Sequence, residues 1–263
     1  MKPAITVITA VYNGALTIRD CVNSVSSQSV LAEHVIVDGA SSDNTIEIVR
    51  GLRPDATIVS EHDRGIYDAM NKGIRLAKGD VIGILNADDL YSSPNVLAKV
   101  LEKFEDPNID CCYGDLLYVK EGACGGSDTD GQFQVSRYWK SGTFHPDRFR
   151  WGWMPPHPTF FVRRPVYEKF GGFNLGLGSA ADYELMLRFL VKHRLNTTYL
   201  PEILVKMRAG GVSNASIRNR MMANMMDRKA WQVNDLKPLP WTLYLKPLRK
   251  VSQWLLRPPR ESE

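Results

Sequence analysis

Three acidic positions in this 263-residue chain stand just beyond short apolar runs: Asp38 after residues 34–37, Asp63 after residues 56–60, and the pair Asp88-Asp89 after residues 81–85. The pair carries the sharpest implication. A nearly all-apolar run reads as a strand buried on both faces, as in parallel sheets. Two adjacent carboxylates at its open end repel, so a cation or hydrogen-bond donors must compensate. Hard divalent cations take oxygen ligands, and magnesium-type sites use one or two carboxylates together with substrate phosphates. Asp88 and Asp89 are therefore candidates for a metal–diphosphate site. The competing reading is a helix start, with Asp89 or Ser92 capping a helix from Pro94 onward. A cap accounts for one polar residue there, not for two acids and Asn86.

A second constellation is Asp182, which opens a helical run containing Leu185, Leu187, Phe189 and Leu190. An acid in a first turn is favoured by the helix dipole, and spacing alone favours that cap reading. Across a cleft from a metal-bound diphosphate, the same carboxylate could serve as a general base. His193, late in this helix, is expected to serve the C-terminal carbonyls rather than chemistry. Residues 139–158 gather Trp139, Phe144, Phe149, Trp151 and Trp153 with His145 and His157. This segment is either a loop packed on the sheet or an acceptor-binding wall.

The elements that must position these groups alternate. Residues 4–11 read as a first strand, followed by a helix with Ile18, Cys21, Val22 and Val25 on one face. A short strand ends at Asp38, and Asp43 can cap the helix carrying Ile46, Val49 and Leu52. A third strand precedes Asp63, a helix with Ile66, Met70, Ile74 and Ala77 follows, and the fourth strand leads to Asp88. Such alternation signals a parallel sheet with right-handed crossovers. It brings Asp38, Asp63 and Asp88 to the carboxyl edge, where open α/β sheets bind ligands. A nucleotide site is the joint reading. The first strand-to-helix turn, Tyr12-Asn13-Gly14-Ala15-Leu16, lacks G-x-G-x-x-G, which counts against a dehydrogenase. Further along, a helix over 96–104, a strand over 109–119 interrupted at Gly114-Asp115, and a polar Gly-rich loop or hairpin turn over 121–134 are expected. A strand over 159–162 and a helix over 165–170, ended by Gly171-Gly172, complete the pattern.

Hydrophobic residues make up 44% and charged residues 24%, so a globular core is expected. A net charge of +4 is too small to argue for nucleic acid. Cys21, Cys111, Cys112 and Cys124 form no C-x-x-C pair, which disfavours zinc. Cys111 and Cys112 should point to opposite faces of a strand, and reduced thiols of a cytoplasmic chain are the simplest reading. No apolar run is long enough to span a membrane. The N-terminus resembles a signal sequence briefly but lacks a small-residue cleavage site.

Taken in order, the stretches 5–13, 37–43, Asn71-Lys72-Gly73-Ile74, Asn86-Ala87-Asp88-Asp89 and Ala181-Asp182-Tyr183-Glu184 resemble a family 2 glycosyltransferase of the bacterial cell-surface polysaccharide type. The resemblance covers roughly residues 3–213. It implies an α/β fold of the GT-A type, a mixed, mostly parallel central sheet flanked by helices, and sugar transfer with inversion. It implies that Asp38 contacts the nucleotide base and Asp63 lines the nucleotide pocket. Asp88 would ligate Mn2+ or Mg2+, Asp89 would lie near the donor sugar, and Asp182 would be the catalytic base. Thr9, Val11, Asn13, Asn71, Lys72, Asn86, Ala87 and Arg208 would complete the donor site, with Arg208 on a loop that closes over the diphosphate. Trp153 and His157 are candidates for acceptor contact. The donor would be a nucleotide sugar, UDP-linked rather than GDP- or dTDP-linked, and the acceptor a saccharide or lipid-linked saccharide. Two departures stand out: Asn86 replaces the first acid of D-x-D, and Ala181 replaces the acid that often precedes the base. The rival readings are a nucleotidyltransferase, whose basic Gly-rich N-terminal loop is missing here, and a non-catalytic nucleotide-sugar-binding module.

After Ser213 the composition shifts, which divides the expected catalytic domain, 1–213, from a helical extension, 214–263. Ile217, Met221 and Met225, with Met222 and Met226 less regularly, read as a packing face. Pro238, Pro240 and Pro247 forbid one continuous helix. A helix beginning near Pro247 would carry Leu248, Val251, Ser252 and Leu255 on one face and Lys250, Gln253 and Arg257 on the other. Basic residues with Trp and Leu suit a helix lying in a membrane interface, here the inner face of the cytoplasmic membrane. The alternative is a tail that covers the domain or a partner subunit. Removing the chain from Trp241 onward is expected to leave donor turnover intact.

Overall fold

The computed structural model describes residues 3–121, 133–209 and 217–258. The first half of the chain alternates as expected. Strand β1 (Ile5–Val11), helix α1 (Ile18–Ser26), β2 (Glu33–Asp38), α2 (Thr45–Leu52), β3 (Thr57–Ser60), α3 (Ile66–Leu76) and β4 (Val81–Ile84) form a wholly parallel block in the order β3-β2-β1-β4. Strands β1, β2 and β4 are rich in β-branched residues and buried on both faces, while the edge strand β3 is only partly buried. Ile5, Val7 and Ile36 pack with α1 and α2, while Ile8, Val35 and Val37 face α3. Gly73 is what lets α3 approach so closely, since a Cβ there would lie 2.3 Å from the Ile8 side chain.

Beyond β4 the sheet changes character. The chain continues through β5 (Asp89–Tyr91), α4 (Val96–Lys103), β6 (Cys111–Glu121), β7 (Phe133–Trp139), β8 (Phe161–Arg163), α5 (Arg164–Phe170), α6 (Ala181–Leu187) and β9 (Thr197–Arg208). The described residues form one nine-stranded sheet, with the path continuing β4-β8-β6-β9-β5 and β7 branching from β6. Here β8 pairs antiparallel with β4 and β6, β7 with β6 and β5 with β9, whereas β6 and β9 are parallel. The apolar run before the acidic pair therefore ends at Ile84, Asp89 already belongs to a separate strand, and the following helix is preceded by Asn95 rather than capped by Asp89 or Ser92.

Strands β7 and β9 were not legible in the sequence. The expected loop over 121–134 shrinks, because β6 reaches Glu121 and β7 starts at Phe133; Cys124 and most of that loop lie outside the described residues. The Gly114-Asp115 interruption is a bulge against β9, and Asp115 is buried in it as an acceptor for Tyr138 OH at 2.5 Å, Tyr199 OH at 2.9 Å and the Ser141 amide at 2.8 Å. Cys111 and Cys112 do face opposite sides, one in each of the two large apolar clusters. His193 stacks on Phe170 with ring centroids 4.0 Å apart rather than serving helix carbonyls. Ile66, expected on the core face of α3, is exposed.

The C-terminal part packs on the body. Helix α7 (Ile217–Val233) inserts Ala230 and Trp231 into the larger core cluster, where Trp231 Nε1 donates to Tyr183 OH at 2.9 Å. Met225, read as a packing residue, is exposed, and the side chains of Ile217 and Met221 lie outside the described residues. Helix α8 (Thr242–Leu255) runs through Pro247 instead of starting there. Its start is fixed by Thr242 Oγ1, which donates to the Arg150 carbonyl at 2.6 Å, and by the left-handed Gly152 (φ +73), where a Cβ would stand 2.5 Å from the Lys246 amide nitrogen. Lys246 ties it to α7 through Asp227 at 2.7 Å. Gln253, assigned to a solvent face, is buried, while Leu248 and Trp254 are exposed. No helix among the described residues is long and apolar enough to cross a membrane.

Trp231→Ala is expected to destabilise the protein by about 3–5 kcal/mol, the scale of removing a buried aromatic. Urea unfolding checks this; an unchanged midpoint would show that α7 is not part of the core.

Candidate active site

The ends of β3, β2, β1 and β4 share one edge, and the residues at or just after them include Asp63, Asp38, Asn13 and Asp88. The loops after β1 and β2 are laced together. Asn13, left-handed at φ 49, accepts from the Ser42 amide at 2.9 Å, and its own amide donates to Ser41 Oγ at 2.8 Å. Asp43 accepts from the Ala15 amide at 3.1 Å and from the Thr45 amide at 3.1 Å. Asp38 is fully buried and accepts from the Ser41 amide at 3.0 Å, the Ser41 hydroxyl, and Ser60 Oγ at 2.6 Å. Both of its oxygens are thus engaged within the protein, so it shapes the 38–41 turn rather than facing a base. Asp63 is the acid left at the surface. Its Oδ2 stands beside Gly39, where a Cβ would come within 2.9 Å, and the ring of Tyr12 flanks the same glycine. Tyr12 is 66% exposed, so an open aromatic face adjoins an acid, an arrangement suited to stacking and hydrogen-bonding a nucleobase.

Other residues expected at the donor site have structural partners. Thr9 is buried and hydrogen-bonds His34 Nε2 at 3.0 Å, and Val11 is a core residue. Lys72 pairs with Glu61 at 2.8 Å and donates to the His62 carbonyl at 3.0 Å, holding the loop that presents Asp63. Asn71 clamps Phe173 through the Phe173 amide, at 2.8 Å, and the Phe173 carbonyl, at 2.9 Å.

Asn86, Ala87 and Asp88 form the turn between β4 and β5, all three half-buried. Asp89 is sealed beneath them, accepting from Asn86 Nδ2 at 2.9 Å, with Oδ1 left without a partner. Burial, and next the neighbouring Asp88 charge, raise the Asp89 carboxyl well above the ordinary carboxylate range. Asp89 is therefore a buried acid whose charged form is disfavoured, with its side chain turned into the protein. Asn86 is turned toward Asp89, which leaves Asp88 as the carboxylate open to a hard cation. No group of three His, Cys, Asp or Glu converges among the described residues. One carboxylate, completed by water and substrate phosphates, is nonetheless how a magnesium-type ion is commonly held, so the residues fit an ion that arrives with a diphosphate. Arg208 lies alongside: one nitrogen donates to the Asp88 carbonyl at 3.1 Å and the other pairs with Asp20. The 210–213 stretch that would extend its loop lies outside the described residues.

A cleft of about 1020 Å³ opens beside this edge. Tyr118 and Met207, cross-strand neighbours on β6 and β9, line it together with Tyr67 and Asp182. Trp153, Arg148 and Arg137 line it too, and Lys246, Arg249, Gln253 and Trp254 of α8 contribute a further wall. Removing α8 would thus strip part of the cleft, which corrects the expectation that the tail is dispensable for the site. Asp182 is the one carboxylate among the described lining residues. It lies in the first turn of α6, with Ala180 at the cap position; its Oδ1 accepts from the Tyr183 amide at 2.7 Å, and the Tyr67 hydroxyl is near enough to feel its charge. Burial, and next the Asp182 charge, push the Tyr67 hydroxyl far up, so it stays a donor. His157 is close enough to feel Asp182, yet burial dominates and lowers its pKa, keeping the ring neutral. Phe173 packs against both Tyr67, at 5.2 Å, and His157, at 5.5 Å, so the Asn71 clamp orders the surroundings of Asp182. Trp153 donates to the Ser141 carbonyl at 2.8 Å, and Arg148 lies over its ring at 4.9 Å, so the ring is no bare platform for a sugar. Tyr67 and the arginines of the far wall escaped sequence reasoning. The one signal for Tyr67 was its i,i+4 relation to Asn71 on α3.

The profile described as Glycosyl transferase family 2 matches residues 6–171. A PGL/p-HBAD biosynthesis glycosyltransferase of Mycobacterium bovis is 27% identical over 230 residues, covering 85% of this chain and 84% of that protein. An uncharacterised glycosyltransferase of Mycobacterium tuberculosis is 31% identical over 71% of this chain and 68% of its own length. Among solved structures, the mannosyltransferase PcManGT of Pyrobaculum calidifontis, in complex with GDP-Man and Mn2+, superposes with a TM-score of 0.61 at 20% identity, over 94% of this chain and 69% of that one. S. aureus TarS 1-349 in complex with UDP-GlcNAc gives 0.62 at 17% identity, over 90% of this chain and 68% of that one. Family match, relatives and fold agree: the chain belongs to glycosyltransferase family 2 and is built on the GT-A fold.

Proposed function

We propose that the protein moves a sugar from a nucleoside-diphosphate donor to an acceptor hydroxyl with inversion, in the assembly of a cell-surface saccharide or lipid-linked saccharide. The observation that carries this reading is Asp182, a lone carboxylate on the wall of a cationic cleft that borders the Asp88 and Arg208 end of the sheet. One base and one displacement suffice for inversion. The nucleobase would lie against Tyr12 and Asp63; a UDP donor is the proposal, in keeping with the UDP-GlcNAc bound by TarS, although PcManGT holds GDP-Man. A divalent cation, Mn2+ or Mg2+, held by Asp88 would neutralise charge on the departing diphosphate. Arg208 would add its own charge there. Asp182 would take the proton of the attacking hydroxyl, with Tyr67 and neutral His157 fixing its orientation. Exposed Tyr244, Leu248 and Trp254, with Arg249 and Arg257, support peripheral attachment to the inner membrane face through α8.

Asp88→Ala should abolish turnover and the manganese-dependent part of donor binding while the melting temperature holds; calorimetry with and without manganese reads both, and unchanged activity would end the metal assignment. Asp182→Asn should leave donor affinity nearly intact and lower transfer by at least ~100-fold, the scale of a general base. Survival of transfer in that variant would remove Asp182 from the mechanism. Tyr67→Phe should lower kcat about tenfold, near the value of one lost hydrogen bond to a charged group. If donor KM rose instead, Tyr67 would belong to the donor site.

A further inference from the structure

One row of residues crosses four strands beside the cleft. Asp89 on β5 stands opposite Met207 on β9, Met207 opposite Tyr118 on β6, and Tyr118 opposite Arg137 on β7. Neighbouring strands are about 5 Å apart, so Tyr118 lies about 10 Å across the sheet from Asp89. Met207, Tyr118 and Arg137 line the cleft, as do Arg208, the residue after Met207, and Asp182. Tyr118 is near enough to both Asp89 and Asp182 for their charges to act on its hydroxyl. It therefore stands between the end of the cleft that holds Asp88 and Arg208 and the end that holds Asp182.

The local backbone holds it there. Arg137 faces Tyr118 and Val135 faces Val119, so Ser136 is the extra residue of a β-bulge. Bulges re-aim side chains and gather next to active sites. The Ser136 hydroxyl donates to the Tyr118 carbonyl at 3.1 Å, and the Arg137 guanidinium lies 3.6 Å over the Tyr118 ring. Burial, above all, raises the pKa of the Tyr118 hydroxyl; the Arg137 charge lowers it, and those of Asp89 and Asp182 raise it further. A phenol that keeps its proton is a hydrogen-bond donor. In the transfer proposed above, the sugar is bonded to a diphosphate at the Asp88 and Arg208 end and is attacked from the side of Asp182. Its ring must span the gap between them, over Met207 and Tyr118. Met207 offers that ring an apolar contact, and Tyr118 offers it a donor.

We propose that Tyr118 is a specificity-determining residue of the transfer, its hydroxyl donating a hydrogen bond to an oxygen of the donor sugar. This deepens the transfer reading and rests on it. A site built to bond a substrate oxygen rejects an analogue that lacks it, which an apolar surface does not do. The contribution of the hydroxyl is confined to the sugar, so it is absent from the binding of a bare nucleoside diphosphate.

The test is calorimetric binding to the full chain, with manganese, of UDP-, GDP- and dTDP-linked hexoses and of bare UDP, GDP and dTDP. Tyr118→Phe keeps the ring beneath Arg137 and removes the hydroxyl. The variant should bind the nucleotide sugar that the wild type prefers about 5-fold more weakly, the scale of one neutral hydrogen bond. Its affinity for the matching bare diphosphate should be unchanged, and its spread of affinities among sugars on one nucleotide should narrow. Equal weakening of the nucleotide sugar and the bare diphosphate overturns the proposal, because Tyr118 would then serve the diphosphate or the fold. Where Tyr118→Phe fails to fold, Arg137→Gln, which removes the cation over the ring, gives the second reading. It must weaken the nucleotide sugar and spare the bare diphosphate, and any other pattern overturns the proposal. A wild-type chain that binds no nucleotide sugar overturns the transfer reading and the proposal with it. A wild type that binds one, beside a Tyr118→Phe variant that binds it equally well, overturns the proposal alone.

Discussion

A buried ion pair holds the catalytic half of this molecule together. Glu184, almost fully buried on α6, receives Arg188 through Nε at 2.9 Å and Nη2 at 3.2 Å, and also accepts from Asn234 at 2.9 Å just beyond α7. The same guanidinium donates to the carbonyls of Phe170, Gly171 and Gly172. One ion pair thus joins α6, the end of α5 and the end of α7. Such a pair contributes little net stability relative to a well-packed apolar one, but removing one partner leaves an uncompensated buried charge at a cost of about 3–5 kcal/mol. Its consequence is geometric. The 170–172 turn leads straight to Phe173, against which Tyr67 and His157 pack, and both of these lie close enough to Asp182 to feel its charge. The position of Asp182 is therefore set from two sides, by its own helix and by a turn that its helix anchors.

The two halves of the sheet divide the work. The parallel half ends in loops whose polar groups mostly satisfy one another, so Asp38, Asn13 and Asp43 build a rigid rim and leave Tyr12, Asp63 and Asp88 facing outward. The half beyond β4 supplies the long strands β6 and β9, the bulge at Asp115 and the aromatic segment, and the cleft lies along it. Helix α8 completes that cleft rather than hanging from the domain, because Thr242 and Gly152 fix where it starts.

The parallel half was legible because burial on both faces leaves an unbroken apolar signal and each crossover helix has a clear 3.6-residue period. The other half was not. Strand β9 carries Pro201, Glu202, Lys206 and Arg208 among its apolar residues, and β7 carries Gln134, Ser136 and Arg137, so neither shows an apolar run. Their place in the sheet comes from pairing with β6, a non-local contact that local pattern does not encode. The resemblance assigned Asp182 to the base, and that residue does line the cleft; it also assigned chemistry to Asp38, Asp89, Thr9 and Asn71, whose side chains are engaged inside the protein. Motif position marks where a backbone goes; whether a side chain faces solvent depends on its neighbours.

Asn86 illustrates how charge is balanced in the turn after β4. An acid at this position would face Asp89, already driven toward its neutral form by burial and by Asp88. The amide instead donates to Asp89, so the half-buried carboxylate of Asp88 is left next to Arg208. Arg208 is itself occupied by Asp20, and its Nε has no hydrogen-bond partner. A diphosphate carries more charge than the Asp20 carboxylate and presents several oxygens to a planar fork, so it can compete for this guanidinium where a neutral ligand cannot. Under the proposed transfer, the resting pairs of Arg208 with Asp20 and Glu121 would favour a multiply charged leaving group over a neutral one.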